Sequence, residues 1–97
     1  MLFIATCIDK PDSLAKRTGR RPAHLVYLSS LGARVRAAGA LLDPAGQNPI
    51  GSLLIFETLD EAEVRAILAA DPYAEAGLFA SVDLRPWRQA LGVTIAR

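Results

Sequence analysis

The chain is short of the residues on which metal and redox sites depend. It carries one cysteine, Cys7, and one histidine, His24. A lone cysteine excludes an internal disulfide, and with a lone histidine it excludes a transition-metal cage of the usual ligands. Cys7 sits in an apolar run, where a small buried hydrophobe is expected rather than a nucleophile. Gly39 and Gly46 lack any GxGxxG or GK[ST] context, so no phosphate-binding loop is predicted. Asp9, Asp12, Asp43, Asp60 and Asp83 show no calcium-loop spacing. No metal site and no cofactor are expected. Aromatic residues make up only 6% of the chain, so Leu, Ala, Val and Ile must fill the core. The net charge is only +1, and no basic stripe alternates with aromatics, which argues against nucleic acid as a partner. The apolar run Met1 to Ile8 has no basic flank and is too short for a signal peptide or a membrane span. A cytoplasmic protein with no membrane partner is expected.

What the chain does have is apolar content. Its 97 residues are 52% hydrophobic. That length suits a single domain over residues 1–97. So much apolar surface in so short a chain points to burial against a second copy, a homodimer. Basic residues cluster at Lys16, Arg17, Arg20 and Arg21, followed by Arg34 and Arg36. Such a run is ordinarily a solvated face, with attraction of a phosphate or carboxylate as the alternative.

Met1 to Ile8 is predicted as a strand buried on both faces. Residues 11–20 form a polar connection with at most one helical turn capped by Ser13. Arg21 to Leu31 is predicted as a helix, with Pro22 in its first turn and Gly32 ending it. From Arg34 to Gly39 the period changes to two, giving a second strand. Asp43 to Pro49 is a loop of turn formers, and Gly51 to Glu57 a third strand. Thr58 and Glu61 are spaced as a capping box for a helix that runs to about Asp71, with Val64, Ile67 and Leu68 inward. Pro72 marks its end. After a turn at Tyr73 to Gly77, Leu78 to Arg85 is a fourth strand, with Leu78, Ala80, Val82 and Leu84 on one face and Phe79, Ser81, Asp83 and Arg85 on the other. Residues 87–97 form a tail that adds an edge strand or exchanges with a partner. The order β-α-β-β-α-β is the ferredoxin-like arrangement, an α+β fold with a four-stranded antiparallel sheet. Its helices cover one sheet face, so a second subunit is expected on the other.

His24 shares a helix face with Leu28 and Leu31, and its side chain is the one suited to acid–base work near neutral pH. A core histidine satisfied by one hydrogen bond is the competing reading. Asp71 extends the inward stripe of the second helix and needs a partner such as His24, an Arg or a backbone N–H. A local turn bond ahead of Pro72 competes. Arg20 or Arg21 could hold an anionic substrate by paired bonds. Ser52, Tyr73 and Trp87 stand at strand or helix ends, where structural roles compete with substrate binding.

Arg21-Pro22-Ala23-His24-Leu25, Tyr27-Leu28, Leu31-Gly32, Ala38-Gly39, Gly51-Ser52, Ala70-Asp71-Pro72-Tyr73, Ala76-Gly77-Leu78 and Arg85-Pro86-Trp87 together resemble the YciI-like (YCII-related) family. The resemblance runs from Met1 to about Trp87. One departure is Ala40, where the family usually has proline after Ala-Gly. The resemblance implies a ferredoxin-like fold related to the dimeric α+β barrel proteins, assembled as a dimer. It also implies that His24 and Asp71 form a catalytic dyad in a pocket. Most members have no assigned activity; some relatives are linked to breakdown of chlorinated hydroxyhydroquinones, and muconolactone isomerase shares the barrel.

The expected function is a small cofactor-independent enzyme with lyase- or isomerase-like acid–base chemistry on a small polar or phenolic organic acid. In it His24 is the acid or base, Asp71 orients it, and Arg21 or Ser52 binds an anionic or carbonyl oxygen. The expected pocket is walled by Leu28, Phe56 and Trp87. The alternative is a non-catalytic small-molecule-binding or accessory dimeric module.

Overall fold

Residues 1–95 are described by a computed structural model. Four strands, β1 (Leu2–Asp9), β2 (Val35–Leu42), β3 (Pro49–Glu57) and β4 (Phe79–Trp87), form one antiparallel sheet in the order β2-β3-β1-β4. Helix α1 (Leu14–Ser30), a 3₁₀ turn (Gly32–Arg34), helix α2 (Glu61–Ala69) and the single-turn helix α3 (Pro72–Glu75) complete it. The expected α+β order with a four-stranded antiparallel sheet is the observed one.

The register sorts the strands into two faces. Phe3, Ala5 and Cys7 of β1 lie opposite Phe56, Leu54 and Ser52 of β3. These residues point to the helices and, Ser52 aside, join Leu28, Val64, Ile67 and Leu68 in the core. Fully burying each large member contributes roughly 1.5–3 kcal/mol. The other face carries Ile4 opposite Ile55 and Thr6 opposite Leu53. Gly51 keeps β1 and β3 close, since a Cβ there would collide with the Cys7 carbonyl oxygen.

Four predicted boundaries are corrected. Helix α1 starts at Leu14, not Arg21, so Pro22 lies inside it. The proline removes one internal hydrogen bond, and tertiary contacts at Arg17 and His24 hold the helix across it. Ser13 is the N-cap residue, but its side chain makes no cap bond. Helix α2 ends at Ala69, and its cap is Asp60, which accepts from the Glu63 N–H at 2.9 Å while Glu63 accepts from the Leu59 N–H at 3.2 Å. The reciprocal box thus sits two residues beyond Thr58. In β4 a shift between Ile8 and Asp9 sets Phe79 opposite Asp9 and Ser81 opposite Ile8. Phe79 therefore packs on the core instead of facing away, and the strand continues through Pro86 to Trp87.

The tail forms no strand within residues 88–95. Gln89 holds it as a loop, accepting from the Ile95 N–H at 2.8 Å and donating to the Leu91 and Val93 carbonyls. Residues 96 and 97 of the predicted tail lie outside the described residues. Among the described residues no helix is long and apolar enough to cross a membrane.

Candidate active site

Helix α1 brings Arg17, Arg21, His24 and Leu28 along one side, at spacings of three and four residues. Arg17, His24 and Leu28 are its buried residues. His24 lies in the middle of this longer helix, away from the positive end that the shorter prediction gave it.

Asp71 is not an extension of α2. It is the N-cap of α3, in extended geometry, where its carboxylate accepts from the Tyr73 N–H at 2.9 Å. That position favours an anion, the reverse of a helix C-terminus. Both of its oxygens also meet His24 Nδ1, at 2.8 and 3.0 Å. The turn bond and the histidine contact, competing readings in the sequence, coexist. A carboxylate can only accept, so it selects the tautomer with the hydrogen on Nδ1. Nε2 then carries the free lone pair. It has no hydrogen-bond partner among the described residues and is not among their sealed polar atoms.

The Tyr73 ring stacks on the His24 ring at 3.9 Å and 13°. Arg17 lies over the Tyr73 ring at 4.8 Å. Its Nη1 donates to both oxygens of Asp9 at 3.0 Å, and its Nη2 donates to Ser52 Oγ at 2.7 Å. A cavity of about 160 Å³ opens among these groups, lined by Arg17, Arg21, His24, Leu28, Ser52 and Tyr73 together with Ala38 to Ala40.

The structure thus brings together His24, Asp71, Ser52, Tyr73 and Arg21. It does not bring Trp87. Trp87 lies opposite Leu2 in the strand register and lines a larger hollow of about 690 Å³ with Met1, Glu57 and Leu91. That hollow holds no histidine, and Glu57 there faces the N-terminal ammonium at 3.5 Å. Phe56 is also absent from the His24 cavity, because it is fully buried in the core. Leu28 alone of the three expected wall residues stands there.

Arg17 and Asp9 were not singled out as site residues. Arg17 is seven residues before His24 and so on its face. That signal becomes legible once the helix is extended through Pro22.

Cys7 lies opposite Ser52 under the site. Burial pushes its thiol up to about 12, with Asp71 and Asp9 adding and Arg17 opposing. The native protein should therefore not react with Ellman's reagent at pH 8, and the unfolded protein should. A folded value above the ordinary 9.0 means the unfolded state ionises first. Stability from this group is whole below pH 9 and falls toward pH 12, by on the order of 4 kcal/mol in total. Urea unfolding of wild type and Cys7→Ala across that range would test it; a constant difference between them would refute the assignment.

A four-stranded antiparallel sheet with helices in the order β-α-β-β-α-β defines the fold class, the ferredoxin-like one. Residues 1–88 match the YCII-related domain, and the chain belongs to that family. It is 38% identical over 98 residues to Protein YciI of Escherichia coli, covering 92% of this chain and 98% of that protein. An uncharacterized protein of Haemophilus influenzae is 37% identical over the same shares. Among solved structures, the 5-chloro-2-hydroxyhydroquinone dehydrochlorinase TftG of Burkholderia phenoliruptrix, in complex with 2,5-dihydroxybenzoquinone, superposes with a TM-score of 0.89 at 34% identity, over 93% of this chain and 96% of that one. SnoaB, a cofactor-independent oxygenase of Streptomyces nogalater, shares the fold at 14% identity, with a TM-score of 0.57 over 93% and 94% of the two chains.

Proposed function

We propose that the chain is a small acid–base enzyme, lyase- or isomerase-like, acting on a hydroxylated or phenolic six-membered ring. The observation that carries the reading is His24. Its Nδ1 is tied to Asp71, and its Nε2 is left free beside a ring-sized cavity. A cavity of about 150 Å³ accommodates benzene, close to the size found here. Nε2 takes a proton and later gives one back, while Asp71 holds the ring orientation and faces the imidazolium. Arg21 and Ser52 bind substrate oxygens, and Tyr73 packs against the imidazole. Proton transfer of this kind needs no redox group.

The dehydrochlorinase relative supports a hydroxyquinol-type ring. On a chlorinated one, a proton leaving a ring hydroxyl would be delivered to the chlorine-bearing carbon. Chloride would leave with the C–Cl electron pair, and a second hydroxyl would lose its proton as its oxygen became a carbonyl. The net change is loss of HCl. The test is chloride release and quinone absorbance with 5-chloro-2-hydroxyhydroquinone and related rings, for wild type and His24→Gln. The variant should keep its fold and lose turnover by about 10²–10⁴. A variant as active as wild type would sink the reading. Ring binding without turnover in the wild type would favour a binding module instead.

We further propose that two chains pair through the sheet face that no helix covers. Ile4, Leu53 and Ile55 lie on it. Supporting this, Arg36 Nε and Glu57 Oε2 are buried without partners. They carry opposite charges, and in a self-complementary contact each could meet the other's counterpart on the second chain. Sedimentation equilibrium should give a dimer that Leu53→Asp converts to a monomer; a monomeric wild type would refute it.

A further inference from the structure

Two hydroxyl hydrogens beside the His24 cavity have no acceptor among the described residues. Ser52 is only 1% exposed. Its Oγ accepts from Arg17 Nη2 at 2.7 Å. Because Arg17 can only donate, the hydroxyl hydrogen of Ser52 must point elsewhere. No acceptor among the described residues receives it. Tyr73 is equally buried. Its hydroxyl has no hydrogen-bond partner among the described residues, yet it is not one of their sealed atoms, which are Arg36 Nε and Glu57 Oε2. It is therefore reached by solvent, from the cavity that Tyr73 lines. Stranding a donor is costly: the Ser52 hydrogen has no acceptor in a side chain only 1% exposed, the Tyr73 hydroxyl has only solvent, and a ligand that displaces that solvent must offer both an acceptor.

We propose that Ser52 and Tyr73 donate to the substrate oxygen on which negative charge collects, and that Arg17 is the positioning residue that makes Ser52 an obligate donor. The inference rests on reading His24 as the acid–base group. It narrows the substrate to rings bearing an enolate- or phenolate-type oxygen, as hydroxyquinones do, over neutral aromatic ethers or hydrocarbons.

The step is as follows. His24 Nε2 takes the proton of a ring hydroxyl, and the negative oxygen left behind faces Ser52 and Tyr73. That oxygen's electron pair then forms a C=O bond, the neighbouring C=C pair takes the proton from His24 at a ring carbon, and the enol has become a ketone. Each charge has a partner: the imidazolium faces Asp71, and the oxygen faces two donors backed by the Arg17 cation. Arg17 itself is neutralised by Asp9, so the empty cavity carries no unbalanced charge from that pair. Burial holds the Tyr73 hydroxyl above its ordinary value, with Arg17 and Arg21 opposing, so at neutral pH it remains an O–H donor.

Calorimetric titration would test this with two probes. One is 2,5-dihydroxybenzoquinone, which carries ionised oxygens at neutral pH. The other is 1,4-dimethoxybenzene, which cannot ionise. Ser52→Ala and Tyr73→Phe should each weaken the first by about tenfold or more and leave the second unchanged. Arg17→Met alone strands Asp9, so the variant to use is Arg17→Met with Asp9→Asn. It should weaken the anionic ring as much as Ser52→Ala does, and adding Ser52→Ala to it should cost little more. A structural role for Arg17 would not separate the two probes. Equal binding of the quinone by wild type, Ser52→Ala and Tyr73→Phe would overturn the proposal. So would a wild type that fails to prefer the ionised ring. His24→Gln should still bind the quinone, so full turnover in that variant would sink the acid–base reading while leaving these donors standing.

Discussion

Asp71→Asn is expected to lower turnover by on the order of 10²–10⁴ while the protein stays folded. Asn still caps the short helix that follows, because its carbonyl oxygen can accept from the Tyr73 N–H as the carboxylate does at 2.9 Å. The same oxygen lies 2.8 Å from His24 Nδ1, but the position 3.0 Å from that nitrogen becomes an NH₂. That donor competes for Nδ1 and favours the tautomer with the hydrogen on Nε2, which cannot take a proton from substrate, and no anion is left to face the imidazolium. Nitrogen-correlated NMR of the single imidazole would see this directly, as Nδ1–H in the wild type and Nε2–H in the variant. Asp71→Ala should do more. It leaves the Tyr73 N–H and His24 Nδ1 without partners in a place only 1% exposed. At about 1–3 kcal/mol for each of the two stranded donors, the loss is on the order of 2–6 kcal/mol, or about 10 °C or more in melting temperature. An Asp71→Ala protein as stable as wild type would mean that the carboxylate holds neither group. An Asp71→Asn protein at full turnover would mean that His24 works without it.

How far the site could be read from sequence follows from two local features. Short apolar runs bounded by turn formers located β1 and β3, each apolar on both faces, and period-two alternation located β2. His24, Leu28 and Leu31 gave the inward face of α1 from spacing alone. Pro22 then misled. A proline inside a helix is disfavoured by an amount that local reasoning weighs heavily, whereas here buried contacts on both sides of it outweigh the cost. Shortening the helix hid Arg17 among solvated bases, although it lies two turns from His24 on the same face. Asp71 shows the second limit. Its stripe position along α2 was an accident of spacing; the residue that matters is Pro72, which starts a new turn and makes Asp71 its cap. Helical periodicity cannot report such a break, but the Asp-Pro step does. Phe79 shows a third. Nothing in the sequence marks the shift opposite Ile8 and Asp9, and one such shift moves a side chain to the other face. Contacts between distant segments, such as Tyr73 on His24 or Ser52 on Arg17, leave no trace in spacing at all.

The Arg17–Asp9 pair should show the strongest coupling in the protein. Both side chains are 6% exposed, and Nη1 sits 3.0 Å from each carboxylate oxygen. Removing one charge leaves the other in a low-dielectric site without its partner. Arg17→Met and Asp9→Asn are each expected to cost about 3–5 kcal/mol in urea unfolding. The double variant should not cost the sum. With both charges gone, their desolvation penalty is gone too, and replacing a buried pair by neutral groups is often close to neutral. Its stability should therefore lie above that of either single variant. Simple additivity would mean that the two side chains do not compensate each other and that the bidentate contact is incidental. The expected non-additivity has a functional side. Arg17 holds Ser52 and lies over Tyr73, so the double variant should regain stability without regaining the cavity's hydrogen-bond geometry. Stability and activity should then part company in one protein: a fold restored by neutralising Asp9, and a turnover that stays low because no cation stands behind the substrate oxygen. If turnover returned together with stability, Arg17 would be a structural residue, and its place beside the cavity would have no part in the chemistry.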